Sequence, residues 1–287
     1  MTKSLSILTV IVFTACSALA QDGGAISESD ISSLLELVMK NQRQQSREIT
    51  EYTAVFKYTI RSYDKKGKLS EEISTGETYQ SRQRNVDITL TKNGKPLSPG
   101  KVEGMRKQAI KALEKDSIER NKAPGTQTST DGPEYSVAFQ SLRFSSYLIF
   151  RNSQFLNPRK EALDGREHIA LDFRPGPNFV LENKFAAPLS HLAGTIWIDA
   201  NDKITTKIVA RLADPADKPG GKDDTVFAQE FLRAPDGIWL VKYLRVNPTV
   251  KPEYFDGINL ELIVERSDYQ RFTVRAEDPK LADPKKP

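Results

Sequence analysis

The sequence predicts an α+β protein that consists mainly of antiparallel β-sheet. Runs of alternating apolar and polar residues recur along most of the 287 residues, and turns that contain Gly separate many of them. Only two segments show the spacing of long amphipathic helices. Strands that alternate in this way have one apolar and one polar face. The apolar face of such a sheet needs a cover, and the amphipathic helices are available to provide it.

The first predicted helix covers residues 30–48. Asp30 is a suitable N-cap, and apolar residues follow it at helical spacing; they are Ile31, Leu34, Leu35 and Val38. From residue 51 the period changes to two, which predicts a long strand. Its apolar face carries Tyr52, Ala54, Phe56, Tyr58 and Ile60.

The rest of the first half predicts further hairpins and a second helix. Lys66-Gly67 and Asn93-Gly94 are hairpin-turn signals. Between them, Val86, Ile88 and Leu90 alternate with polar residues. Residues 98–122 return to helical spacing, and residues 123–133 predict a loop. We therefore expect an antiparallel meander that is followed by a segment of helix and loop over residues 98–135.

The second half repeats a turn that contains Gly, followed by a run rich in apolar residues. These turns lie at 164–165, 194, 236–237 and 256–257, too unevenly spaced for a solenoid. A further helix is predicted around residues 135–150. The Pro- and Lys-rich tail, residues 277–287, predicts disorder. Counting gives about ten strands, and we expect one domain over residues 21–276.

The N-terminus has the features of an export signal. Lys3 precedes an apolar stretch over residues 5–13, and Ala18-Leu19-Ala20 resembles a cleavage site. The stretch is far shorter than the roughly 20 residues that a membrane-spanning helix needs. Two outcomes stay open: cleavage after Ala20, or lipid attachment at Cys16, since residues 13–16 loosely resemble a lipobox. The first places the protein in the periplasm, and the second anchors it there as a lipoprotein.

The charge balance argues against nucleic acid as a partner. The chain has 42 basic and 38 acidic residues, and the two signs are interleaved. A nucleic-acid-binding protein usually concentrates its Lys and Arg on one face. Cys16 is the single cysteine, so we expect no disulfide framework and a fold that depends on its core alone.

No recognisable catalytic or metal-binding pattern is present. The two histidines, His168 and His191, lie in no zinc-binding arrangement, and we expect structural or surface roles for both. His168 alternates with Ile169, Leu171 and Phe173, which predicts that His168 lies on the solvent-exposed face (the wet face) of a strand. Residues 199–203 resemble the start of a calcium loop, but Ile204 and Ala210 stand where Gly and Glu are required. The sequence therefore predicts no catalytic residue, metal or cofactor, and a protein that is not an enzyme.

Apolar and aromatic side chains on strand faces are the most abundant candidate feature. Most of them are expected to form the core. A curved sheet that only a few helices close can also leave an apolar cavity, which is the usual character of a ligand site. Burial of an acyl chain gains about 0.8 kcal/mol per methylene, so a lipid is a suitable occupant.

The hairpins that contain Trp resemble the LolA-like outer-membrane lipoprotein carrier superfamily. The resemblance rests on residues 192–199 (Leu-Ala-Gly-Thr-Ile-Trp-Ile-Asp), on the strand over 204–212, and on residues 231–240, which contain Asp-Gly-Ile-Trp-Leu. Residues 168–175 are similar to the strand that precedes them in the family. It implies an incomplete antiparallel barrel of about eleven strands, with helices over an apolar concave face. It also implies a periplasmic carrier without catalytic residues.

The ligand surface of that family is diffuse, so we infer lipid-binding positions from strand alternation. They are Phe56, Tyr58, Ile60, Ile88, Leu90, Leu171, Phe173, Ile196, Ile208 and Phe231. The expected partners are an acyl lipid or lipoprotein and a membrane-associated donor or receptor protein. The leading alternative is a regulatory or protein-interaction domain on the same fold, for which the charged helix over 98–122 is suited. A hydrolase with a site on loops is a third interpretation.

Overall fold

In the part of the chain that the structure describes, eleven β-strands form one antiparallel sheet and three α-helices accompany it. The computed structural model describes residues 28–48, 52–64, 66, 68–80, 85–120, 146–177, 190–214, 224–255 and 259–271. The predictions for the export signal, Cys16, the loop over 123–133 and the tail over 277–287 fall outside these residues.

The helices are α1 (Glu28–Glu48), α2 (Pro99–Arg120) and the short α3 (Ser146–Asn152). The strands are β1 (Tyr52–Tyr63), β2 (Leu69–Gln80), β3 (Asn85–Lys92), β4 (Lys95–Pro96), β5 (Ser153–Leu163), β6 (Arg166–Pro175), β7 (Leu192–Asp199), β8 (Thr205–Leu212), β9 (Thr225–Arg233), β10 (Trp239–Val246) and β11 (Leu260–Arg271). The first two helices agree with the predicted ranges to within two residues. The third helix, predicted around residues 135–150, is described over Ser146–Asn152, and the earlier part of the predicted range lies outside the described residues.

The sheet is open, with β4 and β5 as its two edges. The strand order is β4-β3-β2-β1-β11-β10-β9-β8-β7-β6-β5. Every neighbour in this order is also consecutive in the chain except the pair β1 and β11. The architecture is therefore an incomplete antiparallel barrel with helices, which confirms the predicted fold class and strand number.

Two hairpin turns have the backbone that their sequences predict. Asn93 and Gly94 have φ angles of 49° and 73°, and Asp164 and Gly165 have φ angles of 50° and 74°. Two successive residues with positive φ are the signature of the type I′ turn, whose twist matches that of the strands it joins. Asn and Asp tolerate this region and Gly is unrestricted there.

The largest apolar core lies between the sheet and helices α1 and α3. Ile31, Leu35 and Val38 of α1 are buried in it, and so are Ile149 and Phe150 of α3. The strands β6 to β10 supply the opposite wall. We refer to this side of the sheet as the α1 face.

A second core lies on the opposite side of the sheet, under α2. Ala109 and Leu113 of α2 are buried against Tyr79 of β2 and Ile88 of β3. We refer to this side as the α2 face. The two long helices therefore cover opposite faces, at different ends of the strand order.

Gly194 provides a test of the packing in the middle of the sheet. A Cβ at this position would lie 1.9 Å from the carbonyl oxygen of Val209 and 2.9 Å from Cα of Ala210. We expect Gly194→Ala to lower the free energy of unfolding by about 1–3 kcal/mol, because backbone must shift to admit the methyl group. Denaturant unfolding measures the change.

Gly104 is the matched control, because a Cβ there meets no atom within 4 Å. It lies inside α2, so Gly104→Ala is expected to stabilise the protein by roughly 0.5–1 kcal/mol. If the two substitutions changed the free energy of unfolding equally, the close approach of the Gly194 backbone in β7 to the Val209 and Ala210 backbone in β8 would be contradicted.

Candidate functional site

The α1 face continues across the whole sheet. Residues that are directly paired on neighbouring strands point to the same side. The pairs that connect β6 to β1 in sequence are Phe173↔Gly194, Gly194↔Ala210, Ala210↔Phe227, Phe227↔Val246, Val246↔Leu262 and Leu262↔Ile60. The apolar side chains of β11 and β1 therefore lie on the same face as the core under α1.

Eight of the ten predicted lipid-binding residues lie on this α1 face. They are Phe56, Tyr58, Ile60, Leu171, Phe173, Ile196, Ile208 and Phe231. Ile88 and Leu90 lie on the α2 face instead, where they pack with α2. The register explains the difference: Phe56 pairs with Gly76 of β2, whereas Ile88 pairs with the next residue, Glu77. Adjacent residues of a strand point to opposite faces.

The eight residues differ in accessibility. Leu171, Ile196 and Ile208 are fully buried in the core under α1 and α3. Tyr58, Ile60 and Phe231 keep part of their surface exposed. The partly exposed residues lie on β1 and β9, whereas α1 and α3 cover the centre of the core.

Two hydrogen bonds from Asn41 hold the C-terminal half of helix α1 against the sheet; we refer to them as the polar clasp. The Asn41 amide Nδ2 donates hydrogen bonds to the carbonyl oxygens of Asp202 and Lys203, at 3.0 and 3.4 Å. These carbonyls belong to the turn between β7 and β8. A cleft of about 290 Å³ opens beside the clasp. It is lined by Asn41, Gln44, Gln45, Asp202, Ile204, Gly237, Ile238 and Trp239.

The two Trp residues of the family-like hairpins have structural contacts. Trp197 Nε1 donates a hydrogen bond to Glu161 at 2.6 Å, and Trp239 Nε1 donates one to Asp202 at 2.9 Å. Each indole therefore fixes its hairpin to a carboxylate on another part of the sheet. These contacts explain the Trp pattern without assigning the indoles to a ligand.

Asp199, at the end of β7, organises the turn that holds α1. Arg166 binds its two carboxylate oxygens at 2.6 and 2.9 Å. The backbone amides of Asn201 and Asp202 donate to Oδ1 at 3.0 and 2.8 Å. Burial alone would raise the pKa of the Asp199 carboxyl, but these hydrogen bonds hold the pKa below its usual value. The segment that resembled a calcium loop is thus the hairpin turn between β7 and β8.

The expectation of a wet-face position for His168 is wrong in one respect. His168 does lie on the side opposite Leu171 and Phe173, but only 3% of its surface is exposed. Its Nδ1 lies 3.0 Å from the Arg166 carbonyl oxygen, and its Nε2 lies 4.0 Å from Asp199 Oδ2. His168 is therefore buried on the α2 face, beside the buried Asp199 of β7.

The described residues show neither a metal-binding cluster nor a membrane-spanning helix. No group of three or more His, Cys, Asp or Glu side chains in this part of the chain is placed to hold a metal ion. Within the same residues, no helix has both the length and the apolar character that a membrane crossing requires. The candidate site is the apolar α1 face, which is partly exposed at Tyr58 and Ile60 of β1 and at Phe231 of β9.

Comparisons with known proteins were made at three levels. No family model matches the sequence, and no curated protein matches it. Solved structures do match. One is named an outer membrane lipoprotein-sorting protein domain, from Vibrio parahaemolyticus. It is 12% identical with a TM-score of 0.39, and the match covers 85% of this chain and 94% of that one.

Two further structures are similar to the chain. A LolA superfamily protein from Nitrosomonas europaea is 7% identical with a TM-score of 0.31, over 84% of this chain and 94% of that one. The MucA/MucB complex of Pseudomonas aeruginosa matches at 10% identity and a TM-score of 0.27, over 85% of this chain and 100% of that one. At these scores the likeness says nothing about a ligand.

The Asp199 network makes a prediction about stability and pH. Asp199→Asn leaves Arg166 without its main partner, and it places an NH₂ group near two backbone N–H donors. We expect the free energy of unfolding to fall by roughly 2–4 kcal/mol at pH 7. Because the folded-state pKa is lowered, the contribution of the carboxylate is present above the unfolded pKa of about 3.9 and is lost as the pH falls through the folded value.

Denaturant unfolding at pH 7 and at several values below pH 4 measures this dependence. The difference between wild type and Asp199→Asn should shrink over the acid range. Asp164→Asn is the control, because Asp164 is exposed in a turn and Asn tolerates its φ of 50°. If Asp199→Asn were as stable as the wild type at pH 7, the Asp199 network would contribute little to the free energy of unfolding.

Proposed function

We propose that this protein is a periplasmic binding protein that holds acyl chains of a lipid or lipoprotein against its α1 face and catalyses no reaction. The observation that carries the proposal is the continuity of this face from β6 to β1. The described helices α1 and α3 form their core with side chains of β6 to β10. The apolar face extends beyond it, through Leu262 and Val264 of β11 to Phe56 and Ile60 of β1.

The energies of the two possible occupants of the core are similar, which favours reversible binding. Helix α1 buries three apolar side chains, Ile31, Leu35 and Val38. At about 1.5–3 kcal/mol each, they contribute roughly 5–9 kcal/mol. An acyl chain with ten buried carbons gains about 8 kcal/mol before ordering costs. A chain can therefore replace α1 on the sheet at little net cost, and α1 can displace the chain again.

The periplasmic location rests on the export signal predicted over residues 1–20. A protein that takes up lipid there needs a source and a destination for it. We therefore include a membrane-associated donor or receptor protein among the proposed partners.

A protein-interaction domain without lipid is the second candidate, and α2 is the observation that favours it. Its apolar side is used against β2 and β3, and its outer side exposes charges of both signs; they are Lys101, Glu103, Lys107, Lys111 and Glu114. Such a surface suits a protein partner. A pull-down that recovers a stoichiometric partner, with no lipid in the complex, would favour this candidate.

The direct test is native mass spectrometry of protein purified from a periplasmic fraction, before and after solvent extraction. We expect an excess mass that leaves as acyl lipid. A bare polypeptide mass that stays unchanged after incubation with phospholipids and lipopeptides would contradict the proposal.

A matched pair of substitutions on β1 locates the binding face. Ile60 lies on the α1 face, and Val55 lies on the α2 face with 43% of its surface exposed. We expect Ile60→Asn to weaken acyl-ligand binding roughly fivefold to thirtyfold, through lost apolar contact. Val55→Asn should leave binding unchanged. Titration with a displaceable fluorescent fatty acid measures the affinity of both variants. Equal effects of the two substitutions would exclude the α1 face as the acyl-binding surface.

A further inference from the structure

Polar side chains form a cluster on the α1 face, at the end of the sheet away from the α1 core. Tyr58 of β1, Arg266 of β11, and Thr78 and Asp87 of the β2–β3 hairpin contribute to it. The register places them on one side: Phe56 pairs with both Arg266 and Gly76, and Thr78 pairs with Asp87. Strands β1 and β11 also carry apolar residues to which we assign the acyl chain, namely Phe56 and Ile60, and Leu262 and Val264.

Tyr58 and Asp87 are fixed relative to each other. Tyr58 Oη donates a hydrogen bond to Asp87 Oδ2 at 2.6 Å, and the Tyr58 ring stacks on Phe56 with centroids 4.2 Å apart. Gly76 makes room for the rings, since a Cβ there would lie 2.9 Å from Phe56 Cζ. Burial and the neighbouring Asp87 raise the pKa of Tyr58, so its hydroxyl remains a donor.

Three buried polar atoms of this cluster lack hydrogen bonds. They are Thr78 Oγ1, Asp87 Oδ1 and Arg266 Nε, and none has a partner among the described residues. Buried polar atoms in native proteins are nearly always paired, and an unpaired one is costly. Three such atoms on one face therefore call for an explanation, and a bound molecule provides one.

The chemistry of the three atoms defines what that molecule must offer. Arg266 Nε is a donor, Asp87 Oδ1 is an acceptor, and the Thr78 hydroxyl can be either. The cluster has one cation and one carboxylate, so it carries no net charge to attract an anion. The exposed Lys92–Glu72 pair on the same face, at 2.7 Å, is also balanced. A carboxylate or phosphate would satisfy Arg266 but would meet Asp87.

We propose that Thr78, Asp87 and Arg266 form a head-group subsite for an acyl ligand whose uncharged head both donates and accepts hydrogen bonds, namely an amide or a hydroxyl. The inference rests on the proposed function, because it assigns the head of the ligand whose chain lies on the α1 face. Acyl chains joined to a peptide through an amide have such a head, and so do acyl glycerols.

Four ligands with the same fourteen-carbon chain test the subsite, by displacement of a fluorescent fatty acid from the full chain. N-myristoylglycinamide and 1-monomyristoylglycerol both donate and accept, methyl myristate only accepts, and myristate is an anion. We expect each of the first two to bind roughly tenfold more tightly than methyl myristate. The tighter of the two identifies the head as amide or glycerol.

Two variants connect this preference to the cluster. Thr78→Val keeps the shape of the side chain and removes the hydroxyl. It should therefore reduce the difference in affinity between the amide and glycerol ligands and methyl myristate. Asp87→Asn removes the carboxylate and leaves Arg266 uncompensated, so it should shift the preference toward myristate. Glu265→Gln is the control for charge, because Glu265 is next to Arg266 but pairs with Lys57 on the opposite face at 2.9 Å. Thermal unfolding verifies that each variant is folded. If Asp87→Asn does not fold, the Thr78→Val variant alone tests the subsite.

The outcomes separate the subsite from the proposed function. If all four ligands bind equally to the wild type, the acyl site stands and the subsite is wrong. A wild-type preference for myristate also overturns the subsite, since the cluster would then act as a cation. If none of the four binds, both the subsite and the acyl-binding function are wrong.

Discussion

The pairing of β1 with β11 is the constraint on which the rest of the structure depends. Its register runs from Tyr52↔Arg271 to Ser62↔Leu260, and it joins strands from opposite ends of the chain. Every other strand pair joins neighbours along the sequence. Without it, β1 to β4 and β5 to β11 would be two separate meanders, each with a new exposed edge. Contacts between such distant residues are slow to form, so we expect this pairing to limit the folding rate.

The same pairing explains why α1 covers strands that are distant from it in sequence. Helix α1 directly precedes β1, yet its apolar side packs on β6 to β10. Because β1 lies beside β11, only one strand separates β1 from β10. The helix can then lie over the later strands. Its hydrogen bonds from Asn41 to the β7–β8 turn fix that position.

Much of the fold could be predicted from local patterns. Alternation identified the strands, helical spacing placed α1 and α2 to within two residues, and Asn93-Gly94 marked a turn correctly. The faces were harder to assign. Alternation states which residues of one strand share a face, but it does not relate one strand to the next. The pairing of Ile88 with Glu77, the neighbour of Gly76, and its packing under α2 place Ile88 on the α2 face.

That one misassigned face also concealed the polar cluster. If Ile88 shared a face with Tyr58, as the sequence suggested, then Asp87 would point to the polar side and need no explanation. Once Ile88 is placed under α2, alternation requires Asp87 to lie on the α1 face. There it meets Tyr58 and Arg266, two side chains from strands that only the β1–β11 pairing brings together. A polar group on an apolar face cannot be recognised before the register is known, so this part of the site required the structure.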